Sequence, residues 1–346
     1  MARLPKISIR LHGGMTPAAC VELAKAAERA GFAGLWFAEN AFARGIMPAA
    51  AACALATERL TINAGVFNPF GRHPTMIAME IGALDELSRG RTTLSLGSGI
   101  ASATEKIGFD PAKPLPAMRD TLTIVRALLC GKEVDHAGPA FSARRVKLGY
   151  TPRPDIPIYL AGRGDLAVKL AGELADGVLI SNMCSVAFAA RAAALMQSRR
   201  KAAGRTGRGE VVQYMPCSVR RDPDAALAAG KRAVGEMLPG FWALGQRVPS
   251  AKEALLAGVG ISEAEFAAVA VRLRAGEDAA DVLDARYAQA FSLVGTPEDC
   301  LAAAERYAEA GVSELALTFD GPSAIEAIET LSHALAGRVQ GAEGRE

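Results

Sequence analysis

Short apolar, β-prone runs alternate along this chain with longer stretches whose apolar residues recur at every third or fourth position, the pattern of strands and amphipathic helices taken in turn. Lys6 to Leu11 reads as the first strand. Thr16-Pro17 then offers an N-cap and a first-turn proline, Cys20, Leu23, Ala24 and Ala27 follow at helical spacing, and Gly31 closes the helix. Further strands are predicted at Gly34–Ala38, Leu60–Val66, Thr92–Ser98, Pro157–Ala161, Val178–Ser181, Val211–Val219 and Glu314–Thr318. Helices are predicted at Pro48–Thr57, Pro74–Leu87, Leu115–Leu129, Asp165–Ala175, Val186–Ala203 and Ser323–Leu335. Two stretches break the rhythm. Gly131 to Pro157 carries short hairpin-like runs at Val134, Phe141 and Val146–Leu148, and Asp222 to Ala290 is helical throughout.

A repeat bears on closure of the sheet. TPAAC at Thr16–Cys20 returns as TPEDC at Thr296–Cys300, Ala30-Gly31 as Ala310-Gly311 and Leu35 as Leu315, at identical spacing. Eight strands alternating with helices, two of them in units built alike, point to a (β/α)8 TIM barrel of the α/β class, with an insertion after strand four and a helical one before strand eight. We read residues 1–340 as one such domain, with insertions at about 131–157 and 222–290 and a flexible tail at 341–346. Barrel enzymes bind at the carboxyl ends of their strands. Those ends are Arg10–Gly14, Glu39-Asn40, Gly65–His73, Gly97–Glu105, Ala161–Leu166, Ser181–Met183 and the region after Met215.

Charge narrows the function. The 39 basic and 37 acidic residues nearly cancel, so neither nucleic acid nor a strongly acidic partner is expected, and a small-molecule substrate is. The basic run Arg199, Arg200, Lys201, Arg205 and Arg208 has no interleaved aromatic residues and reads as a solvated face. Six scattered cysteines without metal-ligand spacing imply reduced thiols and no metal site. No signal region and no membrane-spanning run is visible, so a cytoplasmic protein is expected.

The stretch Ile62–Pro74, INAGVFNPFGRHP, looks like a strand whose end must bend: Gly65 interrupts an apolar run just before a turn at Asn68-Pro69. Gly162-Arg163-Gly164-Asp165-Leu166 precedes a helix, so its free amides suit a phosphate; the alternative is a plain strand-to-helix turn with Asp165 as cap. Gly97-Ser98-Gly99 opens like a dinucleotide fingerprint but sits on the fourth strand, and Ser102 stands where the third glycine belongs.

The segments AGVFNPFGRHP, LSRGRTTLSLGSG with EKIGFDPAKPLPAMRDTLTIVRALL, PIYLAGRGDLAVKLAGELADGVLIS and FSLVGTPEDC, in that order, resemble the bacterial luciferase-like superfamily. The likeness is greatest to its coenzyme F420-using branch, which includes the methylenetetrahydromethanopterin reductases. The resemblance implies F420, or alternatively FMN, at the strand ends, and a non-prolyl cis peptide at Gly65-Val66 behind the flavin-type ring. Asn40, Gly65, Val66, Asn68, Gly97, Ser98, Gly99, Ala161, Gly162, Arg163, Gly164, Asp165, Leu166, Ser181 and Asn182 are then the expected cofactor contacts. A homodimer follows by family analogy.

Glu39 is the first candidate for proton transfer, as a carboxylate at the mouth, with His12 and Glu105 next. Three positions depart from the branch's pattern. Glu39-Asn40 replaces an Asp-His pair, Arg10 replaces an acidic residue of strand one, and Ile100 stands where the glucose-6-phosphate dehydrogenases carry glutamate. The expected activity is hydride transfer between reduced F420 and a small organic substrate, a methylene-tetrahydropterin first. An FMN-dependent monooxygenase and a barrel that binds flavin or pterin without turnover are the alternatives.

Overall fold

In a computed structural model of the protein, which describes residues 4–111, 113–319, 321 and 323–343, eight parallel strands close into a ring. The first four are β1 (Lys6–His12), β2 (Gly34–Ala38), β3 (Thr61–Phe67) and β4 (Thr92–Leu96). An antiparallel hairpin follows, β5 (Val134–Ala137) with β6 (Ser142–Val146). The ring resumes with β7 (Ile158–Ala161), β8 (Gly177–Leu179) and β9 (Glu210–Val219); after the short β10 (Leu293–Gly295), β11 (Glu314–Thr318) completes it. β1 pairs with both β2 and β11, and β8 with β9, which leaves the ring no open edge. β10 lengthens the sheet where β9 outruns its neighbours, pairing Leu293–Gly295 with Cys217–Val219.

Alternation along the strands sorts two cores. Ile7, Ile9 and Leu11 of β1 join Leu35, Ile62 and Leu94 in a continuous apolar layer with the helices, including Ile77, Ile81, Leu128 and Phe188. The other face looks into the ring, where Trp36 meets Tyr159 at 5.1 Å and Tyr214 at 6.2 Å, both edge-on. Polar groups share that interior: Asn63 donates to Thr93 Oγ1 (2.8 Å) and accepts from Ser95 (2.8 Å), while the buried Tyr214 hydroxyl has no partner. Glu314 accepts from Ser8 Oγ and from Trp36 Nε1, each at 2.5 Å.

Burial raises the pKa of Glu314 above the usual carboxylate range, because loss of water disfavours its charged form more than these two donors favour it. A folded pKa above the unfolded one means the folded state binds more protons. The stabilisation is therefore complete below the unfolded value and lost as pH rises through the folded one. Glu314→Gln is expected to flatten the fall of melting temperature across that window; an unchanged pH profile would place the dependence elsewhere.

The repeated units fold alike. Thr16 accepts from Ala19 N–H and Thr296 from Asp299 N–H, each with proline in the first turn, and Ala30 and Ala310 close the helices ahead of Gly31 (φ 72°) and Gly311 (φ 91°). The basic run departs in part from the sequence reading. Arg200 and Arg205 both donate to the Ala175 carbonyl and Arg205 pairs with Asp176, so these two clamp the turn before β8, while Arg199, paired with Glu173, and Lys201 and Arg208 stay exposed. Five helices fill the stretch before β10, at Pro223–Gly245, Pro249–Leu256, Glu263–Arg274, Ala279–Val282 and Ala285–Phe291. They hold a separate apolar cluster around Trp242, Phe266, Tyr287 and Phe291. The final helix, Ala324–Glu343, continues through 341–343 of the segment read as a tail, and 344–346 lie outside the described residues.

Candidate active site

The wall of the mouth begins where β3 leaves regular register. Ile62, Asn63 and Ala64 oppose Thr92, Thr93 and Leu94, but the next pair is Phe67 with Leu96, so β3 carries one residue more than β4. The extra length falls at Gly65-Val66, whose peptide is cis. Gly65 has φ 147°, and a Cβ there would lie 2.2 Å from the Ser95 carbonyl oxygen. Across the wall, a Cβ on Gly97 would lie 2.5 Å from Val66 Cγ1. Two missing side chains thus let strands and bulge close together, while the Gly65 carbonyl accepts from Glu39 N–H at 3.0 Å.

The loop leaving β3 is tied at several points. Asn68 Oδ1 accepts from Phe70 N–H (3.0 Å), and its Nδ2 donates to the buried Thr104 Oγ1 (2.9 Å), so both ends of this amide hold the loop. His73 caps the helix Pro74–Leu87 by accepting from Thr75 N–H. Arg72 was not singled out from the sequence, yet it is the loop's main charge. Its guanidinium lies 4.5 Å over the Phe67 ring, pairs with Glu80 at 3.1 Å and donates to Glu39 at 3.2 Å. Glu39 is half-buried at the end of β2; Asn40 beside it is exposed.

On the far side of β4, β7 runs into the loop read as a phosphate site. Gly162 N–H donates to the Leu179 carbonyl (3.0 Å), and a Cβ on Gly162 would lie 2.6 Å from Ala167 Cβ, which packs the loop onto the first turn of the helix Asp165–Leu174. The cap is Gly164, not Asp165. It offers no side-chain acceptor to the first amides, and the Asp165 carboxylate turns to Arg191 at 2.7 Å. Leu166 is exposed.

Arg163 donates Nη2 to the Asn182 carbonyl (2.7 Å) and stacks 4.2 Å from the Phe241 ring centre, with Nη1 buried and without a partner. Burial lowers its pKa, and no carboxylate balances it among the described residues. Asn182 is 7% exposed with an unpartnered Oδ1, held between Ser181 (φ 64°) and Met183 (φ 55°). Beneath them the Cys184 thiol is pushed up to about 11 by burial, which makes it an inert neutral group.

The remaining candidates take separate places. His12 Nδ1 accepts from Gly14 N–H at the end of β1 (3.2 Å), and Glu105 faces solvent on the short helix Ala101–Lys106. Gly97-Ser98-Gly99 joins β4 to that helix, and a Cβ on Gly99 (φ 72°) would meet Asn68 Nδ2 at 2.4 Å. Ala161 ends β7 within the inner cluster. Arg10 points into the ring, 5.0 Å over Tyr214 and donating to Thr318. Phe42, Ile100, Ile107 and Phe109 leave an exposed apolar rim on the loops after β2 and β4. A cleft of about 650 Å3 lies on the outer face, between the helices Pro114–Leu129 and Asp165–Leu174. Among the described residues no cluster of metal-ligating side chains occurs, and no helix is long and apolar enough to cross a membrane.

A bulged glycine wall that continues, past β4, into an uncapped helix end and a buried, carboxylate-free arginine fits a flat ring with an anionic tail. The profile of the luciferase-like monooxygenase family matches residues 3–314. The chain belongs to this family. Within the luciferase-like proteins it is 31% identical over 298 residues to the 5,10-methylenetetrahydromethanopterin reductase of Archaeoglobus fulgidus, covering 84% of this chain and 86% of that one. It is 28% identical to an F420-dependent glucose-6-phosphate dehydrogenase of Microbacterium testaceum, over 60% and 61% of the two chains. The solved coenzyme F420-dependent tetrahydromethanopterin reductase of Methanopyrus kandleri superposes with a TM-score of 0.86 at 25% identity, covering 97% of this chain and 99% of that one.

Proposed function

We propose that the protein is an oxidoreductase that holds coenzyme F420 across the barrel mouth and passes a hydride between it and a small organic substrate. The observation that carries this reading is the occurrence of the bulge at Gly65-Val66 and of the open amides and unbalanced Arg163 guanidinium on the same side of the mouth, at the ends of strands that flank β4. When bound, the deazaflavin supplies the hydride chemistry. The chain's own residues do the rest. Val66, Gly97 and Ala161 would back the ring, and the first amides of the helix Asp165–Leu174, with Arg163, would orient the phosphate. Ser181 and Asn182, whose amide oxygen lacks a partner, would add hydrogen bonds. Glu39, fixed through its amide to the bulge and through its carboxylate to Arg72, would hold or move the proton.

The reductases among the relatives make a methylene-tetrahydropterin the leading substrate, and the apolar rim of Phe42, Ile100, Ile107 and Phe109 supports a flat aromatic body over a sugar phosphate. Residues 1–340 form one domain in this reading. A cytoplasmic location is supported by six unpaired cysteines. Pairing of two copies is supported by the exposed Leu55, Met76, Met79 and Leu87 on the helices Met47–Ala56 and Pro74–Leu87.

The test is single turnover of the protein loaded with reduced F420 and mixed with methylene-tetrahydropterins, alcohols or glucose 6-phosphate in turn. Rapid oxidation by a pterin is expected. Oxygen consumption with reduced FMN would favour the monooxygenase, and no turnover with any partner would leave a binding protein.

A further inference from the structure

The hairpin between β4 and β7 is no part of the ring, yet its tip reaches the catalytic side. Two strands of four and five residues have little stability alone, so what pins the hairpin determines where it sits. The pin is Asp120, on the helix Pro114–Leu129 and 4% exposed. Its Oδ2 accepts from Ala140 N–H (2.9 Å) and Phe141 N–H (3.0 Å), and its Oδ1 lies 2.9 Å from His136 Nε2. The turn closes around it: Gly138 N–H donates to the Phe141 carbonyl (3.1 Å), and a Cβ on Gly138 would fall 2.0 Å from Asp120 Oδ1.

The side chain so placed, Phe141, lies with its ring 5.6 Å from Phe70 and 5.7 Å from His73, edge-on to the latter. Both belong to the loop that leaves the bulged strand. Phe70 also meets Phe109 at 6.0 Å, and its N–H is held by Asn68. Arg72 stands between the two contacted residues and carries the guanidinium that grips Glu39.

We infer that the β5–β6 hairpin is a brace for the loop 68–73 and that Phe141 is a positioning residue for Glu39, acting through Phe70, His73 and Arg72. Removing the ring takes away the hairpin's share of the loop's outer packing and leaves Phe70 on Phe109 alone, and removing the Asp120 carboxylate frees the segment that delivers the ring. Arg72 then samples more positions, and so does the carboxylate it holds. The role for Glu39 rests on the function proposed above; the brace does not.

The experiment is hydrogen exchange by mass spectrometry on the full chain, with steady-state kinetics alongside. In Phe141→Ala, amides of 68–73 are expected to exchange about tenfold faster while β7 and β8 stay protected, and Phe141→Leu is expected to recover most of the protection. Asp120→Asn, which touches no residue of the loop, is expected to loosen 68–73 as well and carries the test if Phe141→Ala does not fold. Turnover is expected to fall about tenfold with substrate KM within about twofold, the signature of a displaced reacting group. Faster exchange confined to 134–146, or a lower melting temperature with 68–73 unchanged, overturns the brace. Wild-type protein that does not take up F420 ends the functional reading and leaves the exchange result to stand by itself.

Discussion

Gly65→Ala is expected to lower stability by about 2 to 4 kcal/mol and to abolish cofactor binding. The added methyl would sit 2.2 Å from the Ser95 carbonyl oxygen and 2.8 Å from Ser95 Cβ, atoms of the neighbouring strand that cannot rotate away. The backbone at φ 147° is unfavourable for any side chain as well. Relief requires β3 and β4 to part, and the Gly65 carbonyl then no longer meets Glu39 N–H. Gly31→Ala is the matched control: its φ of 72° strains a side chain, but nothing lies within 4 Å of the new atom. That variant is expected to lose about 1 kcal/mol and bind cofactor normally. Thermal denaturation and a cofactor titration on both variants decide the matter. Equal behaviour of the two would mean that the close approach at Gly65 contributes nothing.

Glu39→Gln is expected to slow turnover by about 10²- to 10⁴-fold while cofactor affinity stays within about twofold. Glutamine keeps the size and one oxygen for Arg72, so the loop stays anchored, but it cannot hand over a proton. Arg72 keeps its second acid, Glu80, at 3.1 Å and its seat on Phe67, which limits the rearrangement. Stopped-flow measurement of the reductive and oxidative half-reactions separates the effect from binding. Unchanged rates would reduce Glu39 to the ion-pair partner of Arg72, and His12→Gln and Glu105→Gln would be the next variants to compare.

The barrel was legible because its signals are local. Each strand is a short apolar run, and the Thr-Pro starts and Ala-Gly ends of two helices repeat at fixed spacing, so caps and periodicity mark the elements. Elements without such marks were missed. The helix Ala101–Lys106 is six largely polar residues with no apolar stripe, and β10 is three residues long. β4 and β8 also stop earlier than their apolar runs suggest, at Leu96 and Leu179, because the chain turns into the mouth there.

Pairings over long separations were legible least. Arg72 reaches Glu39 across 33 positions and Arg163 reaches Asn182 across 19, and neither meeting leaves a trace in local composition. Phe241 is more hidden still, since it comes from the helical stretch before β10. Asn68 is expected from the resemblance as a cofactor contact, and its amide also ties the loop to Thr104, a pairing across 36 positions that local composition does not show.

The measurement that bears most directly on the central claim is an equilibrium titration of the purified apoprotein with F420 and, separately, with FMN, repeated with Arg163→Gln. F420 is expected to bind at least about tenfold more tightly than FMN, and the variant to lose about tenfold in F420 affinity because no buried guanidinium then meets the phosphate. Failure of F420 to bind, or an Arg163→Gln variant that binds it as well as the native chain, would contradict the assignment of this mouth to a phosphate-tailed deazaflavin.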